Sequence, residues 1–180
     1  MTDLEFCRIG AHMYIDLMGK VRELCKSQGF ELYYYPDHED NTGSSHNHNG
    51  KLKVMLYGIY AKPLNLQTVI TAMHEIGHLL DSQNFEDNHA YIKQYSMGGT
   101  ELRAWQHAFS LAVKWGFTLD QMELMYRTAI ESAITYFNED GYDDCDWEHT
   151  IVGYTGDRMN WHDFEVQLNS HYCNCVEVLL

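Results

Sequence analysis

The sequence predicts an α+β fold, mainly α, in which a small antiparallel sheet lies beside one amphipathic helix and the C-terminal half is helical. Three observations carry this. Two apolar, partly aromatic runs, Phe30 to Tyr35 and Lys51 to Tyr60, are separated by Pro36 and a polar stretch, as strands are. Between 64 and 81, residues 66, 69, 70, 73, 76, 77 and 80 follow the three-and-four spacing of a helix buried along one side. Beyond Gly99 the same spacing returns twice, over 101–115 and 118–137.

Taken in order, residues 3 to about 28 form a long helix ending at Gly29, with Leu4, Cys7, Ala11, Tyr14, Met18, Val21 and Cys25 on its stripe. Ile15 and Leu24 widen that stripe. Its small and sulfur-containing residues suit packing within the domain better than a coiled coil. Phe30 to Tyr35 is a strand. Asp37 to Gly50, almost free of large apolar groups, is a loop whose His38, His46 and His48 are solvated. Lys51 to Tyr60 begins in alternation and continues apolar, as a strand does when both faces are covered. The two strands are expected to pair as a hairpin beside the 64–81 helix. Ser82 to about Gly99 is a polar connection, and Thr100 is placed to cap the helix from Glu101 to Trp115. Thr118 caps the next helix, whose Leu119, Met122, Tyr126, Ala129, Ala133 and Tyr136 or Phe137 mark it as scaffold. Asn138 to Glu148 lacks the spacing of a twelve-residue calcium loop and reads as a solvated acidic loop. The last thirty residues are mixed in pattern and receive no assignment.

No Pro/Gly/Ser-rich linker divides the chain, so one domain over 1–180 is expected, with its core at about 30–115 and helical scaffold on either side. The net charge of −14 excludes duplex DNA and anionic membranes as direct partners and suits a protein or peptide. The N-terminus has neither a positive nor an apolar leader region, and no run of about 18 apolar residues occurs, so a cytoplasmic protein is expected. Five cysteines, an odd number without a C-x-x-C pair, read as reduced thiols. Cys173-Asn174-Cys175 with His171 lacks the second ligand pair of a metal site.

The chemistry is concentrated at His74-Glu75-Ile76-Gly77-His78. Histidines four apart on a helix lie one turn above each other, about 6 Å along the axis, and can converge on one tetrahedral metal ion. Glu75 points close to that site without ligating, which suits a general base acting on metal-activated water. Chance supplies roughly 0.05 such H-E-x-x-H strings in a chain of this composition. Gly77 disfavours a helix interior by about 1 kcal/mol relative to Ala, so it predicts close approach of another backbone. Glu101 is the only acidic residue on the stripe of Ala104, Trp105, Ala108 and Ala112, small residues that let two helices meet closely. It either completes a metal site with His74 and His78 or merely favours its helix N-terminus electrostatically. Asp81 falls on the His74/His78 face, as a partner of a ligating histidine or a ligand itself. An oxyanion stabiliser is expected among Tyr91, Tyr95, His89, His107 and His162, which the sequence does not rank.

His74-Glu75-x-x-His78, followed 23 residues later by Glu101 and then by Ala104 and Ala108, resembles a zincin with a glutamate third ligand. More narrowly it resembles the ImmA/IrrE-type metallopeptidases of bacteria and mobile elements, phage included. There a small sheet and an H-E-x-x-H helix precede a helix opening with E-x-x-A, and the likeness covers roughly 30–115. It implies a zincin-like fold and Zn²⁺ held by His74, His78 and Glu101 with one position open. It further implies that Glu75 is general base for peptide hydrolysis. Trp105 stands where better-known gluzincins carry an aspartate, so no partner is assigned to the ligating histidines. The competing expectation is a non-catalytic acidic binding or inhibitor protein, with zinc structural or absent, that sequesters a protein partner one-for-one.

Overall fold

The computed structural model describes residues 3–39, 42–58, 66–137 and 159–180, with the backbone alone for 3–13 and 89. The chain is mainly helical with one three-stranded mixed sheet, an α+β arrangement weighted to α. Helix α1 (Asp3–Gln28) stops at Gly29, whose φ of 74° reverses the chain at little steric cost. Met18, Val21 and Cys25 are buried as their spacing predicts, but Leu17 joins them while Ile15 stays 47% exposed. The stripe is therefore rotated from the expected one.

The sheet differs from the expected antiparallel hairpin. β1 (Glu31–Tyr35) runs parallel to β3 (Lys51–Tyr57), and β2 (Gly43–His48) pairs with β3 antiparallel, giving the order β1-β3-β2. The stretch expected as a loop thus contains a strand. Asn49 and Gly50 explain it: their φ values of 51° and 74° place both central residues of a two-residue hairpin turn in the left-handed region. That turn folds polar 43–48 back on β3, leaving β1 only the other edge of β3. Leu32, Tyr34, Leu52, Val54 and Leu56 turn one sheet face to the helices. Residues 59–60 and 64–65, expected in strand and helix, lie outside the described residues.

Helix α2 (Leu66–Ser82) is wrapped by the sheet, α1 and α3, and buries Val69, Ile70, Met73 and Ile76 together with Ala72, Leu79, His74 and Glu75. It is covered on more than the one side expected. Helix α3 (Asn88–Trp115) starts well before Glu101, capped by Asp87, whose Oδ1 accepts from the Ala90 amide at 2.9 Å. It kinks at Ser96, a non-glycine residue at φ 63°, ψ 171°. The second segment is capped by Ser96, not Thr100: Ser96 Oγ accepts from the Gly99 amide at 3.1 Å, and Thr100 Oγ1 donates to the Met97 carbonyl. The polar connection is therefore short, and most of it is the first arm of a bent helix.

Helix α4 (Leu119–Ala133) begins as its sequence predicts, Thr118 and Gln121 forming a reciprocal capping box. A 3₁₀ turn (Ile134–Tyr136) then changes the helical phase. The acidic stretch 138–148 lies outside the described residues. The unassigned C-terminal segment forms α5 (Trp161–Leu179), capped by Asn160 and held to the core through Phe164, Leu168 and Cys175. Among the described residues, no helix is long and apolar enough to cross a membrane.

Candidate metal centre

Helices α2 and α3 cross backbone to backbone. A methyl group added to Gly77 would lie 2.9 Å from the Ala104 carbonyl carbon and closer still to its oxygen, so only glycine fits. This is the close approach that a glycine inside the helix predicts. Glu101 precedes Ala104 by three residues, as His74 precedes Gly77, so side chains one turn from the crossing face each other. Glu101 Oε2 lies 3.1 Å from His74 Nε2, Glu101 Oε1 lies 3.2 Å from His78 Nε2, and the two Nε2 atoms are 3.2 Å apart.

Those distances suit a shared cation. Ligands about 2.0–2.1 Å from a tetrahedral Zn²⁺ stand roughly 3.3–3.4 Å from one another. Two imidazole nitrogens and one carboxylate also form a donor set that divalent zinc-like ions accept, although the donors do not single out one metal. Glu101 is 4% exposed, and its Oε2 is buried without a well-aligned hydrogen bond. A cation at the centre would satisfy that oxygen. Burial by itself would raise the Glu101 carboxyl, but His78 and then His74 outweigh it and hold the group well below the ordinary range. Burial pushes the His78 imidazole down, and the Glu101 charge, followed by Glu75 and Asp81, more than reverses this. Protons and a cation would therefore compete for the same negative pocket. Among the described residues, His74, His78 and Glu101 form the one group of three or more His, Cys, Asp or Glu positioned to bind a metal ion.

The supporting contacts differ from those expected. Trp105 stacks on the His74 ring, centroids 4.2 Å apart at 29°, so the residue four after Glu101 orients this imidazole by packing rather than by accepting a hydrogen bond. His74 Nδ1 is buried without a hydrogen-bond partner among the described residues. Asp81 is neither a member of the group nor hydrogen-bonded to its histidines. It forms a two-point ion pair with Arg103, accepts from the Tyr91 hydroxyl at 2.8 Å and lies 3.6 Å from His107 Nε2. Burial tends to raise its carboxyl, but hydrogen bonds from Arg103 and Tyr91 bring it below its usual value. Asp81 ties the last turn of α2 to both arms of bent α3, which explains its place on the His78 face.

Glu75 lies outside the triangle of His74, His78 and Glu101 and against the first residue of β2. A Cβ on Gly43 would stand 3.0 Å from Glu75 Oε1 and 2.6 Å from Thr71 Cγ2, so glycine there lets the strand reach the carboxylate. A cleft of about 580 Å³ is lined by β2, by His74, Glu75, His78 and Glu101, by the first arm of α3 and by Tyr136. The Tyr136 hydroxyl is pushed well above its usual pKa, first by the Glu101 charge, then by burial and Glu75, so it stays a proton donor.

The sequence predicts Tyr136 as scaffold, because helical periodicity puts either it or Phe137 on the apolar face of α4. Only the 3₁₀ turn brings it to the cleft, and no local sequence signal announces that. Of the five residues suggested for an oxyanion role, Tyr91 lines the cleft but donates to Asp81. Tyr95 lies against the Arg103 guanidinium, His107 faces Asp81, and His162 is exposed on α5. The side chain of His89 lies outside the described residues. His46 and His48 are exposed on β2, while His38 packs against Tyr57. His171 Nε2 is 3.0 Å from the Gln106 carbonyl, and the described cysteines 25, 173 and 175 are free thiols. Comparisons with protein-family models, curated proteins and solved structures return no match.

Proposed function

We propose that this chain is a zinc-dependent peptidase of the zincin kind, acting inside the cell on a protein or peptide. The observation that supports it most is one juxtaposition. His74, His78 and Glu101 converge within hydrogen-bond distance, while Glu75, from the same helix, lies in the same cleft without joining them. Such division between holding groups and a spare carboxylate suits hydrolysis better than a purely structural site, which is closed by a fourth protein ligand.

A Zn²⁺ ion held by His74, His78 and Glu101 would supply Lewis acidity that makes water nucleophilic near neutral pH and polarises a carbonyl. Glu75 takes the proton that the attacking water loses and delivers it to the leaving nitrogen, so a C–O bond replaces the C–N bond and charge balances. The Tyr136 hydroxyl donates toward the carbonyl oxygen as negative charge builds there. β2, at the sheet edge, offers main-chain groups to an extended peptide, which gives binding with little demand on side-chain sequence.

Purified protein is expected to carry about one zinc per chain and to lose it in His78→Ala. A chelator should abolish hydrolysis of a casein-type unstructured substrate, and added zinc should restore it. Metal-free protein of full solubility, or stoichiometric binding of a partner that stays uncut, would favour an acidic sequestering protein instead. Tyr136→Phe is expected to lower kcat by about 10²-fold with KM and zinc content little changed, the pattern of a group engaged only in the transition state.

A further inference from the structure

The outer edge of β2 is not open along its whole length. Asn47 N–H donates to Asn88 Oδ1 at 3.1 Å, and Asn88 Nδ2 donates to the Ser45 carbonyl at 3.2 Å. One side-chain amide thus occupies the two backbone groups that a neighbouring strand would use. Beside it His48 and Asp87 form an isolated antiparallel bridge. Asn47 Nδ2, buried, fixes the turn beneath by donating to the carbonyls of Ser82 and Phe85. The edge is sealed from about Ser45 onward by the entry to α3.

At Gly43, the other end of β2, a Cβ would stand 3.0 Å from Glu75 Oε1, so this end of the strand lies against the carboxylate. Residues on a strand rise about 3.3 Å each, so roughly 7 Å, two residues, separate the reacting centre from the start of the seal. An extended peptide laid on β2 therefore has room for about two residues on that side of the bond being cut. Two features say which end of the peptide this is. Antiparallel addition is slightly more stable per residue than parallel, and it points the amino terminus of the peptide toward the seal. Among the described residues the cleft is lined by Asp87, Glu75 and Glu101 and by no lysine or arginine, so an α-ammonium group is favoured at the sealed end and an α-carboxylate is repelled.

We propose that the site is directed to free peptide amino termini, releasing one or two residues, with Asn88 as the stop and Asp87 as the counter-charge for the α-ammonium group. The inference rests on the peptidase reading and narrows its substrate class. Water adds across the peptide bond: its oxygen goes to the carbonyl carbon, its proton to the departing nitrogen, and no other reactant is needed.

The test uses the zinc-loaded full chain and three amidated or blocked versions of one alanine- and leucine-rich decapeptide, with first products read by mass spectrometry. The free-amine, C-terminally amidated peptide should lose its first one or two residues, and its N-acetylated twin should react at least about tenfold more slowly, the equivalent of one ordinary charge contact. Asp87→Asn, which keeps an N-cap oxygen for Ala90, should shrink that ratio to below about threefold. Asn88→Ala should move the first cut inward. Equal internal cleavage of both peptides, or trimming of an N-acetylated peptide with a free carboxyl end from that end, would overturn the inference while leaving the peptidase reading standing. No cleavage of any peptide by protein carrying one zinc would overturn both.

Discussion

Glu75→Gln is expected to lower peptide hydrolysis by about 10³-fold while zinc content stays unchanged. The amide has the volume of the carboxylate it replaces, so it fits the space that the missing Cβ of Gly43 leaves to the Glu75 side chain. What it loses is basicity. A glutamine cannot take the proton of the attacking water, and among the described residues Glu75 is the carboxylate of the cleft that neither joins the two histidines in the triangle nor caps a helix. Metal analysis and turnover, measured on the same preparation, separate this role from ligation. Zinc lost together with activity would make Glu75 part of the binding group, and activity retained in full would remove it from the reaction.

Gly77→Ala should destabilise the protein by about 3 kcal/mol, lowering Tm by roughly 6–12 °C in a chain of this size. The direction is the informative part. On a solvated helix face the same change is stabilising by up to about 1 kcal/mol, because alanine favours the helix. At Gly77 the added methyl runs into the Ala104 carbonyl, and backbone cannot swing aside as a flexible side chain can. The helices must part, and parting them also withdraws Glu101 from His74 and His78, so zinc affinity should fall with stability. Gly19, inside α1 with nothing among the described residues within 4 Å of its missing Cβ, is the matched control. Gly19→Ala should leave Tm level or raise it. A Gly77→Ala protein as stable as the parent would mean that α2 and α3 do not cross there, and the placement of Glu101 would fall with the crossing.

The two predictions divide along the line that separates local from distant information. H-E-x-x-H could be read because residues four apart on a helix share a face whatever surrounds them. Thr118 could be read because a cap closes within one turn, and Gly29 because a helix end needs a residue at ease with positive φ. Asn49-Gly50 carried the same kind of signal for a hairpin. The polarity of the six residues before it concealed a strand that needs few apolar groups, because it stands at an edge and faces the cleft.

Other features had no local signature. The parallel partner of β3, the true start and bend of α3, the Trp105 stack on His74, the diversion of Asp81 to Arg103 and the arrival of Tyr136 all join segments far apart in the chain. The amino-acid sequence by itself marked His74, Glu75, His78 and Glu101 as candidate site residues and placed them on helices, since helical periodicity is read from positions a few residues apart. Tertiary structure alone decided which of those residues meet, because a backbone-to-backbone crossing at Gly77 and Ala104 is settled by packing of the whole core and not by any stretch within it.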